Sequence, residues 1–338
     1  NSEGEMVMMN QKTFTLFFVL WLIVLSTHLL ATEASHYRPV STYSIIAFDP
    51  ETEEFGVAVQ SHWFSVGSLV PWAQAGVGAV ATQSFIKADY GPDGLERMKS
   101  GYTANKALKE LLAEDDGEAL RQVAMIDING NVAAHTGDKC IQAAGHQIGK
   151  TYSVQANMME KETVWPAMAR AFENTQGDLA DRMMAALEAA EAEGGDIRGK
   201  QSAAMLIVSG EPTGVQWKDV VLDLRIDDHA NPLRQLRRLI RIHRAYQHAN
   251  RGDFLMEKND ITGALKEYEA ATNFYPENLE LPFWTAVTLA SSGEVEKALP
   301  IFRSIFQRDE RWKRFTPRLV RSELLPDDKK LIERILKQ

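Results

Sequence analysis

A chain of 338 residues with 45% hydrophobic, 25% charged and 9% aromatic residues has the balance of a folded globular protein, which excludes a disordered or collagen-like chain. Lys+Arg 37 against Asp+Glu 46 leave a formal charge of -9, so general nucleic-acid binding by a basic surface is excluded. The single cysteine, Cys140, excludes an intrachain disulfide and a thiolate-rich zinc site, and the length suffices for two domains with separate cores.

Phe14 to Leu30 is an apolar run behind Lys12 and several methionines, followed by small and polar residues, which is the layout of a signal peptide. Thr32 and Ala34 place small residues at the recognition positions, so residues 1–34 are expected to be removed between Ala34 and Ser35. The protein is then exported, periplasmic or extracellular. A retained signal anchor is the alternative; the run is at the short limit of a membrane span and encloses His28.

TYSIIAF and FGVAVQS, joined by the turn DPETE, predict an antiparallel hairpin from Thr42. The segment from Gly76 to Thr82 continues the strand character with small residues. Helical spacing follows over Leu95 to Lys99 and Ala104 to Ala113, the second with Thr103 as N-cap. Gln122 to Ile128 and Val132 to His135 flank Asn129-Gly130, a hairpin turn expected to have both central residues at positive φ. Tyr152 to Ala156 predicts a strand, Val164 to Glu173 and Leu179 to Ala192 predict helices, and Gly194-Gly195 ends the second. Gln201 to Val208 and Val220 to Ile226 return to strands. Two mostly antiparallel sheets between two helical layers accommodate this order.

Pro232 to Gln247 predicts an amphipathic connecting helix, with Leu233, Leu236, Leu239 and Ile240 on one side and five arginines elsewhere. Beyond it Ala264 and Ala298, Tyr268 and Phe302, Gly252 and Ala286, and Ala271 and Ile305 all recur 34 residues apart. Small and aromatic residues at that period resemble tetratricopeptide helix pairs, although Glu310 stands where the first copy has Pro276. So few repeats need a neighbour to dock on.

There is no HExxH, no phosphate-binding Gly-rich loop and no GxSxG elbow, and the histidines show no paired ligand spacing, so no metal and no cofactor are expected. A nucleophilic Cys140 near His135 is weighed against a buried inert thiol. The remaining chemistry lies in the hydroxyl-rich start of the first strand, Ser41-Thr42-Tyr43-Ser44. A Ser or Thr hydroxyl needs a base, and a free α-amine on the same residue, with a pKa of roughly 7.7, is one. The alternative is that these are simply polar residues at a strand end.

The stretch from Thr42 to about Leu236 carries, in order, TYSIIAFDPETEEFGVAVQS, VGSLVPWAQAGVGAVATQS, YGPDGLERMKSG, AAHTGDKC, YSVQANMM, GGDIRGKQSAAMLIV and DLRIDDHANPLRQLRRL. With these it resembles the domain of unknown function 1028 family, regarded as having the fold of N-terminal nucleophile hydrolases. The resemblance implies an α+β fold, a four-layer αββα sandwich over residues 35–236. A linker helix over 237–249 and an all-α tetratricopeptide-like region over 250–338 complete the expected organisation. Relatives without an export signal start Met-Thr-Phe-Ser, which places the exposed threonine on Thr42. Thr42 is therefore the implied nucleophile, with Ser41 as the fallback if the cut falls one residue earlier; cleavage after Ala34 alone would leave Ser35 to Ser41 in front of it. Among the family's matching polar positions, Gln83, His135, Asn157, Asp196, Arg198 and Gln201 are the implied substrate-binding set. Asn157 or Gln83 would serve as an oxyanion donor, and Arg198 would hold a carboxylate.

Two functions follow as expectations. One is an exported amide-bond hydrolase of N-terminal nucleophile type acting on a small peptide-like or cell-envelope substrate. The other is a catalytically silent envelope binding or scaffold protein that recruits a protein partner through the tetratricopeptide-like region. Self-association into a homo-oligomer is compatible with both.

Overall fold

Strands β1 (Thr42–Asp49) and β2 (Glu54–Ser61) pair antiparallel from Thr42↔Ser61 to Asp49↔Glu54, closed by a turn in which Asp49 Oδ1 accepts from the Glu51 N–H. This is the start of a computed structural model that describes residues 42–338. The apolar export segment, its cleavage site and Ser41 lie outside the described residues. The two strands are buried on both faces, and their period-2 alternation distributes side chains between two different cores. Tyr43, Ile45, Ala47 and Ala58 face one core; Ile46, Phe55, Val57 and Val59 face another.

The first core is filled by helices α3 (Val164–Asn174) and α4 (Leu179–Ala192), lying on a six-stranded sheet in the order β10-β9-β2-β1-β8-β7. Its other members are β7 (Gly145–Ile148), β8 (Tyr152–Asn157), β9 (Ser202–Val208) and β10 (Val220–Ile226). The second core joins that sheet to a four-stranded one in the order β3-β4-β5-β6: β3 (Pro71–Gln74), β4 (Gly78–Ser84), β5 (Arg121–Asp127) and β6 (Val132–Thr136). A third core packs α1 (Tyr90–Lys99) and α2 (Ala104–Ala113) against Val80, Val123 and Met125, the residues of β4 and β5 that point away from the first sheet. All strand pairings within the two sheets are antiparallel.

Several elements depart from the sequence reading. The first helix starts at Tyr90, not Leu95; Pro92 is tolerated in its first turn, and Gly91 and Gly94 let it approach Trp72 and Met125. In the β5–β6 hairpin only Gly130 has positive φ, because Asp127 Oδ1 accepts from the backbone N–H groups of Asn129 and Asn131 and closes the turn one residue earlier. Gly76, at φ +71, belongs to the turn before β4. The edge strands β3 and β7 are additions, each of four residues.

A short helix α5 (Gln216–Asp219) precedes β10, and the rest of the chain is helical: α6 (Pro232–Glu257), α7 (Ile261–Phe274), α8 (Glu280–Ser291), α9 (Val295–Arg308), α10 (Glu310–Phe315) and α11 (Lys329–Leu336). Helix α6 runs unbroken through residues 237–249: Leu233, Leu236 and Ile240 enter the core of the six-stranded sheet, while Ala245 packs with Ala271 and Leu281. Gly252 lies against the Tyr268 ring, where a Cβ would come within 2.5 Å of it. Ala286, Ala298, Phe302 and Ile305 share a core with Phe283, Leu331 and Ile335. No described helix is long and apolar enough to cross a membrane.

The start of β5 is fixed by Asp115, whose carboxylate accepts from Arg121 Nε (2.8 Å), the Gly117 N–H (3.0 Å) and the Tyr90 hydroxyl (3.1 Å). Burial pushes its pKa up, but these donors outweigh burial and hold it at about 2 against an ordinary 3.8. A depressed carboxylate pKa stabilises the fold above the unfolded value and loses that contribution as pH falls through the folded one. Asp115→Asn is expected to cost about 2 kcal/mol at neutral pH. Denaturant titrations at stepped pH should show the gap to the parent protein closing between pH about 4 and about 2.

Candidate functional site

The same alternation that builds the inter-sheet core also ends it. Toward one end of the two packed sheets the inward positions switch from apolar to polar: Thr42 and Ser44 on β1, Ser61 on β2, Gln83 on β4, Gln122 on β5, Thr136 on β6, Gln155 and Asn157 on β8, and Ser202 on β9. Thr42, Ser61, Gln83, Gln122, Asn157 and Ser202 are essentially inaccessible to solvent. Polar groups so deeply placed must satisfy one another.

Gln122 is their centre. Its Oε1 accepts from Gln83 Nε2 (2.7 Å) and Asn157 Nδ2 (2.9 Å), and its Nε2 faces the Ala156 carbonyl (2.9 Å), the Gly145 carbonyl (3.2 Å) and Thr136 Oγ1 (2.9 Å). Gln83 Nε2 and Asn157 Nδ2 also point at the Thr42 carbonyl, at 3.2 and 3.5 Å, and the Thr42 hydroxyl donates to Ser61 Oγ at 3.3 Å. Ser44 donates to Gln83 Oε1 (2.7 Å) and accepts from Gln155 Nε2 (2.6 Å). Thr136 Oγ1 lies 2.8 Å from His146 Nδ1 on β7. The residues that follow the two converging amides, Ser84 and Met158, have φ of +71 and +57. Such left-handed backbone in non-glycine residues turns the chain away directly after the site.

Of the residues singled out from the sequence, Thr42, Gln83 and Asn157 are thus brought together. Asp196, Arg198 and Gln201 lie at the same end, in the loop entering β9. The Asp196 carboxylate, fully buried, accepts from the His62 and Arg198 N–H groups and pairs with the Arg198 guanidinium at 2.9 Å, so it ties the loop to the end of β2. Gln201 donates from its backbone to the Ser61 carbonyl and from its side chain to Asp228. His135 stands apart. It is one residue out of phase with Thr136, so its ring leaves the inner face and meets the Glu118 carbonyl (2.9 Å) and carboxylate (3.2 Å).

Tyr43, facing away from the network, sets its hydroxyl against Gln60 and donates to Glu191 Oε2 at 2.7 Å; burial first, then the Glu191 charge, push its pKa up and keep it protonated. Cys140 donates to the Arg121 carbonyl, and burial raises its pKa, which leaves a thiol rather than a thiolate. The sequence reading included Ser44 in the hydroxyl-rich start of β1 but missed Gln122, His146 and Gln155. The signal available for them was the shared parity of polar residues on adjacent strands.

This is an α+β protein of antiparallel sheets with a C-terminal helical region and a buried hydroxyl–amide network at one end. The chain belongs to the family of unknown function DUF1028, whose model matches residues 42–236, from the first residue of β1 into α6. It is similar to the crystal structure of protein SPO2555 from Silicibacter pomeroyi, a DUF1028 protein, with 31% identity and a TM-score of 0.53 over 59% of this chain and 88% of that one. No curated protein matches.

Proposed function

We propose that the protein is an amide-bond hydrolase of the N-terminal nucleophile type, its stacked sheets and flanking helices forming the αββα sandwich of that class and Thr42 supplying the nucleophile. The observation that carries this reading is the place of Thr42: first residue of the central strand β1, 3.3 Å from Ser61 Oγ, with two side-chain amides converging on its carbonyl. Once the Ser41–Thr42 bond is cut, the Thr42 α-amine becomes a base with a pKa of roughly 7.7. The hydroxyl then attacks the substrate carbonyl and its proton passes to that amine and on to the leaving amine. Water hydrolyses the acyl-enzyme by the same route. The Gln83 and Asn157 amides are the nearby donors for a developing oxyanion. Arg198 and Gln201 lie at the end of the sheet where a small peptide-like or envelope substrate would enter.

Intact mass and terminal sequencing of the exported protein test this directly. A mature chain beginning at Thr42 is expected; a homogeneous start at Ser35 overturns it, since the base would be missing.

A second reading is favoured by the full burial of Thr42 with its nitrogen in a peptide bond. In that form the sandwich is a silent scaffold, and the tetratricopeptide-like pairing of α6 with α7 and α8 with α9, supported by Gly252 against Tyr268 and by buried Ala264, Ala286 and Ala298, recruits a protein partner.

A further inference from the structure

Thr136 and His146, both half-buried, stand between the buried network and an open cleft of about 640 Å³ that is also bounded by Gly137, Asp138, Cys140, Gln142 and Glu162. Donor and acceptor chemistry fixes the orientation of the Gln122 amide. The Gly145 and Ala156 carbonyls can only accept, so the end of the Gln122 amide that faces them is its nitrogen. That nitrogen also donates to Thr136 Oγ1. In the His146 tautomer that carries its proton on Nε2, the Thr136 hydroxyl gives its own proton to its other neighbour, His146 Nδ1 at 2.8 Å. An accepting Nδ1 puts the ring proton on Nε2 and leaves a neutral imidazole with its lone pair on the Thr136 proton. Burial, and secondarily the nearby His135, hold the His146 pKa below its ordinary 6.5 and favour that neutral form.

We propose that Thr136 and His146 form a second catalytic pair, a hydroxyl nucleophile with its own imidazole base, acting on small acyl esters or amides that enter this cleft. The lining supplies the carboxylates of Asp138 and Glu162 and no Lys or Arg, so the fitting acyl compounds are neutral or positively charged. Thr136 Oγ1 bonds to the substrate carbonyl carbon as its proton moves to His146 Nδ1. The bond to the leaving alcohol or amine breaks, and that group takes the proton from His146. Water then attacks the Thr136 ester by the same proton path and releases the acid. The Gln122 amide holds the hydroxyl toward its base. Unlike the Thr42 mechanism, this one needs no cut before Thr42, and it stands or falls independently of that reading.

The test is covalent trapping of the full-length chain with a fluorophosphonate. The P–F bond breaks, a P–O bond forms to the attacking oxygen, fluoride leaves and His146 takes the proton. Peptide mass mapping is expected to find the adduct on Thr136. Thr136→Ser should retain labelling, Thr136→Val should abolish it, and His146→Gln should slow it about 100-fold. His135, Asp138, Cys140 and Glu162 are the titratable groups near His146 on the cleft side, and labelling should persist below pH 6.5 before protonation of His146 stops it. An absent adduct, an adduct on Thr42 alone, or equal labelling of Thr136→Val each overturns the pair. An adduct on Thr42 alone would at the same time support the amine-based mechanism. If Thr136→Val fails to fold, the mapped position and the Thr136→Ser result decide.

Discussion

Gln122→Leu is expected to destabilise the fold by about 3–5 kcal/mol with little change in side-chain volume. The buried Gln83 and Asn157 amides would lose an acceptor at 2.7 and 2.9 Å, and their contacts to the Thr42 carbonyl and, for Gln83, the Gln155 carbonyl are longer. The Ala156 and Gly145 carbonyls and Thr136 would lose a donor as well. Leaving a buried polar group unsatisfied costs roughly 1–3 kcal/mol, and several are affected at once. Denaturant unfolding of the two proteins measures the difference. A loss below about 1 kcal/mol would mean that Gln122 is not what holds the polar end of the two sheets together.

Thr42→Ala is the larger test of function. In the amine-based mechanism it removes the nucleophile outright, and kcat/KM for a responding amide should fall by about 10³-fold or more, while Thr42→Ser retains turnover. The stability cost should be about 1 kcal/mol, the scale of one hydroxyl hydrogen bond such as that to Ser61. If the cut before residue 42 is carried out by the hydroxyl itself, the alanine variant will also keep the preceding residues, which intact mass reads without any substrate. Undiminished turnover removes Thr42 from the mechanism.

Much of the α+β fold is legible in the chain because its elements are long and locally consistent. Ala104–Ala113 and Leu179–Ala192 have the bounds their spacing and caps predict, and TYSIIAF and FGVAVQS read as strands on either side of the turn DPETE, each one residue shorter than the strand observed. The edge strands Pro71–Gln74 and Gly145–Ile148 are too short to show a period, and Tyr90–Lys99 opens with glycines and a proline that a propensity scale counts against a helix. The site is harder because it is defined by parity across strands. His135 and Thr136 are adjacent in sequence and equally polar, yet one faces Glu118 and the other Gln122. Only the register Gln122↔Thr136, set by the hairpin turn, tells them apart. Gln122 likewise looks like any polar residue near the start of a strand until Gln83 and Asn157 are placed opposite it.

Helix α6 has mechanical consequences for the whole chain. Its 26 residues form a rod about 39 Å long, anchored at one end by Leu233, Leu236 and Ile240 and at the other by Ala245 and Gly252. A push or twist delivered to the C-terminal helices would be carried along this lever into the floor beneath β9 and β10, rather than being absorbed by a slack hinge. A protease cut within residues 237–249 would therefore be expected to loosen both ends together, instead of releasing two intact halves.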